Sequence, residues 1–258
     1  MGSGLLFGRL ASLIIAPTSG KPGVDVTGLR IQFEVRKTSS SSANTAKIVV
    51  WNLTKETRNL ITEKNTAIIL RAGYGEESDD TLPLLASGVI RRVEHESDGV
   101  NVASTIEIRD GGMGLDESDF REAYPRGTEW SRIAKDILSR MPDVTLGALD
   151  ASGLEGVTAA RWVASGRARH ALDKLARARG FEWSVQNGVA QMIDRTAGAR
   201  PQILAEVLSS STGMIGSPTK TNVGSKVKSL LRPGILPGDF IDVRSEFYTG
   251  YLKALVVE

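Results

Sequence analysis

Leu29, Ile31, Phe33 and Val35 alternate with Arg30, Gln32 and Glu34, the two-residue period of a strand with one face buried. The polar stretch Ser39–Asn44 follows as a flexible loop. Ile48–Trp51 is then an unbroken apolar run, as expected of a strand covered on both faces. Asn52-Leu53-Thr54 closes it, and Thr54 is placed to cap a short helix through Ile61. Thr66–Ala72 is the next strand. Val89–Glu94 and Val100–Ile108 flank Asp98-Gly99, a dipeptide that favours the tight turn of a hairpin. The first third therefore predicts a β-unit with one small helix.

The period changes after Gly111-Gly112. Trp130, Ile133, Ala134, Ile137, Leu138 and Met141 recur at helical spacing, with Thr128 as the expected cap and Pro142 as the stop. A second helix is predicted over Ala168–Arg179, with Ala171, Leu172, Leu175 and Ala176 inward and Gly180 ending it. Asn187-Gly188 between Phe181–Val185 and Val189–Ile193 is the strongest hairpin signal in the chain. The middle is thus two helices against a small hairpin. Ser209–Gly224, rich in Ser, Thr and Gly, is expected to be a loop or linker. Two Pro-Gly turns at 233–234 and 237–238 precede strands at Phe240–Val243 and Tyr251–Val257. The fold class expected is α+β, mainly β: two small tube-like β-barrel units flanking a mixed helix/hairpin domain. Its divisions are 1–112, 113–200 and 201–258.

Composition narrows the function more than the fold. With 258 residues, 41% of them hydrophobic, the chain can bury two or three cores. Lys and Arg number 32 against 30 Asp and Glu; so even a balance speaks against a polyanion partner, which calls for a concentrated basic excess. The chain has no cysteine, which removes disulfides and thiolate metal sites. Leu5–Ile15 is apolar but broken by Gly8, Arg9 and Ser12, so an arm or first strand is expected there rather than a signal peptide or a spanning helix.

Candidate chemistry is thin. His95 and His170 lie far apart and lack metal-ligand spacing. The serines of 39–42 sit in no nucleophile elbow. Glu76, Glu77, Asp79 and Asp80 lack the alternation and central glycine of a calcium loop. Gly111-Gly112-Met113-Gly114 has no following Gly-Lys-Ser/Thr and is expected to join domains. Arg167, Arg169, Lys174, Arg177 and Arg179 would cover the outside of the second helix, where a solvated face is expected. No catalytic, cofactor-binding or metal-binding residue is assigned, and no cofactor is expected.

The order of these segments resembles that of phage baseplate hub proteins. Gly28–Val35, then Asn44 and Ala46, then Ile48-Val49-Val50-Trp51-Asn52-Leu53-Thr54 are similar to the family's opening strand, loop and aromatic-Asn-Leu-Ser/Thr segment. Ile68–Leu70 with Gly73-Tyr74, and Gly88-Val89-Ile90, resemble the strands that come next. Leu172-x-x-Leu175-Ala176 and Gly180-Phe181-Glu182-Trp183 are similar to the inserted domain. Val227, Leu230-Leu231, Pro233, Pro237-Gly238-Asp239 and Gly250-Tyr251 resemble the closing unit.

The resemblance implies a structural, non-enzymatic hub of a contractile phage tail, a homotrimer that adapts a hexameric tail tube to a trimeric spike. Partners implied are the tube protein above, a separate spike protein below and other baseplate proteins around, with the Ser39–Asn44 loop as a candidate contact arm toward a neighbouring ring. No specific nucleic acid and no stable membrane insertion are expected. The implied location is the virion baseplate, after assembly in the bacterial host cytoplasm. Alternatives are a tail-associated peptidoglycan hydrolase and an OB-like nucleic-acid-binding protein.

Overall fold

In a computed structural model the chain is described over residues 8–17, 22–62, 65–75, 82–111, 114–147, 152–194, 206–222, 224–245 and 249–254. The first part is a seven-stranded sheet of β1 (Arg9–Ala16), β2 (Val24–Val26), β3 (Ile31–Arg36), β4 (Thr45–Trp51), β5 (Ala67–Tyr74), β6 (Leu84–Asp98) and β7 (Asn101–Arg109). Their order is β2-β1-β5-β6-β7-β4-β3, with β2 and β3 at the edges. All pairings are antiparallel. Phe33 pairs with Ile48 and Ile48 with Ile106, so the alternation in each strand stacks apolar side chains on one face. That face gathers Leu13, Ile15, Ile48, Val50, Ile68, Leu70, Ile106 and Ile108 into one core with Leu60 and Ile61 of helix α1 (Lys55–Ile61).

Two residues explain how β4 becomes α1. Asn52 adopts φ 62°, a left-handed conformation that Asn tolerates better than most residues. Its side chain accepts from the Val102 N–H at 3.1 Å and donates to Asn101 Oδ1 at 2.9 Å, fixing the bend to β7. Thr54 then caps α1 by accepting from the Thr57 N–H at 3.2 Å, as expected.

The middle part holds α2 (Gly114–Glu117), β8 (Asp119–Tyr124), α3 (Trp130–Leu138), β9 (Thr145–Leu146), β10 (Trp162–Arg167), α4 (Ala168–Arg179), β11 (Phe181–Gln186) and β12 (Val189–Asp194). Its core is separate from the first and includes Phe120, Ile133, Ile137, Leu138, Leu172, Leu175, Phe181 and Trp183. Ile137 is fully buried there. Ile137→Ala is expected to lower the unfolding free energy by about 2–5 kcal/mol, read from urea denaturation monitored by tryptophan fluorescence. Gly180 ends α4 at φ 78°, and Asn187-Gly188 turns β11 into β12 with φ 53° and 79°, the two positive values a type I′ turn needs.

The α3 boundaries differ from expectation at both ends. Its cap is Glu129 rather than Thr128, because Glu129 is held extended in a bridge to Val157 and the first helical N–H, on Trp130, donates to Gly156 O. The Thr128 hydroxyl instead donates to Pro125 O at 2.8 Å. At the other end the helix tightens: Arg140 and Met141 donate to the carbonyls of Ile137 and Leu138, three residues back. Met141 stays buried although it lies past the last α-helical residue. The β8–β10 ribbon has no counterpart among the expected elements.

The third part contains β13 (Glu206–Leu208), β14 (Thr219–Thr221), β15 (Gly224–Lys226), β16 (Asp239–Arg244) and β17 (Thr249–Ala254). β16 runs parallel to β13 and antiparallel to β17, around a small core of Leu208, Met214, Ile241 and Val243. Ser209–Gly224 is not a simple linker. It holds a 3-10 turn at Ser210–Thr212, tied by reciprocal Ser209 and Thr212 capping, and then β14. Residues 255–257 of the expected last strand lie outside the described residues. Leu231 packs against the first core and its N–H donates to the Tyr74 hydroxyl at 3.0 Å. Among the described residues no helix is long and apolar enough to cross a membrane.

Candidate functional site

The densest polar chemistry lies where the first sheet meets the middle part. Asp110, just past β7, is 4% exposed. Its Oδ2 accepts from the Asn187 N–H at 2.6 Å and the Asn44 amide at 3.2 Å. Its Oδ1 accepts from the Gly188 and Gly111 N–H groups, both at 2.7 Å. The left-handed backbone of the Asn187-Gly188 turn aims two successive N–H groups at one carboxylate, an anion-holding arrangement. Asn44 completes the clasp. Its amide nitrogen reaches Val185 O at 2.7 Å and Gln186 Oε1 at 2.9 Å, and its oxygen accepts from the Thr38 N–H at 2.8 Å. The hairpin of the middle part is thereby bolted to the strand ends of the sheet.

Lys37 supplies a cation to this knot. It is 7% exposed and its ammonium donates to Asn187 Oδ1 at 3.0 Å. Burial pushes its pKa down to about 8, against the opposing pull of Asp110. Burial likewise raises the Asp110 carboxyl, opposed by the N–H groups of Gly188 and Asn187, the Asn44 amide and the Gly111 N–H. An unfolded lysine titrates near 10.5. Between about pH 8 and 10.5 the unfolded chain therefore binds more protons, and the unfolding free energy rises with pH. The rise from this group is expected to total about 3 kcal/mol. Lys37→Met is expected to flatten the profile in that window, read by denaturant titration at each pH; parallel profiles for the two chains would contradict it.

The residues considered for chemistry do not converge. His95 Nδ1 lies 3.0 Å from the Ser104 hydroxyl across β6 and β7; its pKa is lowered by burial and then by the Arg58 charge. His170 is exposed on α4, in the middle part. Glu76, Glu77, Asp79 and Asp80 lie outside the described residues, as do Gly112 and Met113. Gly111 and Gly114 flank that last pair. Gly111 has φ 74°, and a Cβ on Gly114 would stand 1.9 Å from Pro142 O.

The basic face of α4 is less a solvated surface than expected. Lys174 donates to Val163 O at 2.9 Å and lies over the Trp162 ring. Arg179 donates to Gly153 O at 2.8 Å and Glu155 O at 3.2 Å and lies over Trp130. These cations tie β10 and the 152–155 turn to the helix. Among the described residues no group of three or more His, Asp or Glu side chains is arranged to hold a metal.

A family model described as "Baseplate hub gp41" matches residues 15–250, a span that contains the buried residues of all three cores except Leu13, and the Asp110 knot. The chain belongs to the baseplate hub gp41 family. It is a structural component of a phage tail baseplate. No curated protein matches the sequence.

Among solved structures, the hub chain is similar in fold to a tail protein from Neisseria meningitidis MC58, with 15% identity and TM-score 0.52, covering 81% of this chain and 58% of that one. The 43 kDa tail protein of prophage MuSo2 from Shewanella oneidensis matches at 10% identity and TM-score 0.52, over 76% and 59% of the two chains. The E. coli c3393 protein, a type VI secretion component with structural similarity to the T4 phage tail proteins gp27 and gp5, matches at 13% identity and TM-score 0.50, over 93% and 65%. The hub chain thus spans less than two thirds of the length of each of these.

In a hub, the surfaces matter more than any cleft. The Ser39–Asn44 loop is not a free arm. Thr38 O accepts from the Gln186 amide at 2.8 Å, and the Ser40 hydroxyl accepts from the Ser42 N–H at 3.3 Å. With Arg177, Phe181 and Trp183 this loop borders an open depression of about 400 Å³. Among the described residues no further strand pairs with the outer edges of β2 and β3.

Proposed function

We propose that this hub protein assembles as a trimeric ring that adapts a hexameric tail tube to a trimeric spike in a contractile tail. The observation carrying the proposal is the edge geometry of the first sheet. Among the described residues β3 pairs with β4 alone and β2 with β1 alone, and an open edge is a liability that ring closure against neighbouring copies removes. Membership of the hub family supports the same reading. In this account residues 1–112 and 201–258 are the two tube-like units and 113–200 is the inserted domain; the three separate cores support that division.

The tube protein binds above, the spike below and other baseplate proteins around. Assembly takes place in the host cytoplasm, without specific nucleic acid or membrane insertion. The chain acts by shape and carries no catalysis of its own. Size-exclusion chromatography with light scattering tests this. Three copies per particle, alone or on adding the spike protein, are expected. A monomer that stays monomeric with spike and tube proteins and cleaves purified peptidoglycan would overturn it.

A further inference from the structure

From Val207 to Gly238 the sequence has no Asp or Glu but carries Lys220, Lys226, Lys228 and Arg232. The rest of the chain therefore holds 28 basic and 30 acidic residues and is net negative. Folding concentrates this imbalance. β14 and β15 form a two-stranded sheet of their own, joined to no other strand among the described residues. The ribbon is clasped at its base by the Met214–Ser229 bridge and by the Ile215 N–H on Lys228 O. Lys226 sits opposite Thr219 and Lys220 opposite Ser225, so the two lysines lie on opposite faces. Lys220, Lys226 and Lys228 are exposed, and their ammonium groups have no partner among the described residues. Arg232 is already engaged, by Glu206 at 2.7 Å and by Thr212 O.

We infer that the β14–β15 ribbon is a docking arm that accepts an acidic, extended segment of another tail protein by strand addition. Both outer edges of the ribbon present backbone groups that an added strand would pair. Lysines along such an edge repel a second copy of the same ribbon, and they favour a strand whose side chains are carboxylates. A nucleic acid is the poorer fit. Three point charges neutralise few phosphates, and the ribbon carries no aromatic side chain on which bases stack. That the acidic segment belongs to a tail protein rests on the hub reading; the ribbon's preference for acidic strands does not.

The test uses the full chain and three labelled probes: a peptide of alternating Thr and Glu, its Thr–Lys counterpart and a short duplex DNA. The Thr–Glu peptide is expected to bind at low salt and to slow amide exchange over residues 219–226. Reversing all three charges (K220E, K226E and K228E together) is expected to weaken that binding about tenfold or more. Replacing the same lysines with arginine is expected to preserve it. The exposed lysines should leave the melting temperature unchanged; if the triple reversal fails to fold, K220E alone is read instead.

Equal affinity for the two peptides, no effect of charge reversal, or binding without slowed exchange would overturn the inference. So would an effect of reversal confined to the DNA. A change in the particle mass of the free chain on reversal would place a second copy at the ribbon and overturn it as well. Because peptide binding is read without assembly, a chain that binds the peptide yet forms no ring would count against the hub ring alone.

Discussion

Asp110→Ala is expected to lower the unfolding free energy by about 3–5 kcal/mol, measured by denaturant titration near neutral pH. The substitution deprives the Asn187, Gly188 and Gly111 N–H groups and the Asn44 amide of one shared acceptor. It also leaves Lys37 buried without its compensating negative charge. Each buried donor left unmade costs about 1–3 kcal/mol, and entering water recovers part of that. Asp110→Asn keeps the volume and one acceptor oxygen and is expected to fall between the two. Because the carboxylate grips the hairpin turn of the middle part, the alanine variant should also speed amide exchange at Asn187 and Gly188. A loss below about 1 kcal/mol, the scale of one ordinary hydrogen bond, would mean that the knot is incidental.

Gly114→Ala is the second large effect, through shape rather than charge. Gly114 opens α2 against the turn that follows α3. An added Cβ would stand 1.9 Å from Pro142 O and 3.1 Å from the Met141 carbonyl carbon. Both are backbone atoms and cannot rotate away, so α2 and the 141–142 turn must part. Met141 and Leu115 are both nearly fully buried, and the core between them would open. A loss of about 3 kcal/mol is expected, at the upper end of ordinary overpacking costs. Gly234→Ala, at a position where an added Cβ meets nothing within 4 Å, is the matched control and should change stability little. Thermal unfolding of the two variants side by side checks this.

Where side-chain period and turn chemistry agree, the elements are legible in the sequence. Asn187-Gly188 marks its hairpin because both residues take the left-handed conformation that matches the twist of the flanking strands. In the β6–β7 hairpin the turn sits one residue later than expected, on Gly99 (φ 62°) and Val100, because Asp98 still pairs with Asn101. The apolar spacing of α3 identifies its buried face, although the cap was displaced by one residue. That displacement comes from the Glu129–Val157 bridge, a contact between residues far apart in sequence. The β8–β10 ribbon was hidden for a similar reason. Phe120, Tyr124, Trp162 and Ala164 are the strand residues in the core, and Glu122 between the first two and Gly166 after Ala164 break the apolar alternation.

The knot shows the same limit at the site. Asn44 and Asn52 stand out in the sequence as elements of a hub-like pattern, and the structure supplies their work. Asn52 turns β4 toward α1, and Asn44 ties the sheet to a hairpin 141 residues further along the chain. Asp110 does not stand out in the sequence. A lone aspartate after a strand carries no local signal, because its partners arrive only through tertiary folding. The charge of the β14–β15 ribbon is written plainly in the sequence, yet the Ser/Thr/Gly content of 209–224 made that segment read as a linker.

We propose that a ring of this hub sits between tube and spike. Electron cryomicroscopy of the assembled tail tests it most directly. Three copies of this chain in one ring below the tube are expected, the seven-stranded sheets side by side with their β2 and β3 edges covered by neighbours. Density for this chain elsewhere in the particle, or a ring whose β2 and β3 edges face open solvent, would contradict it.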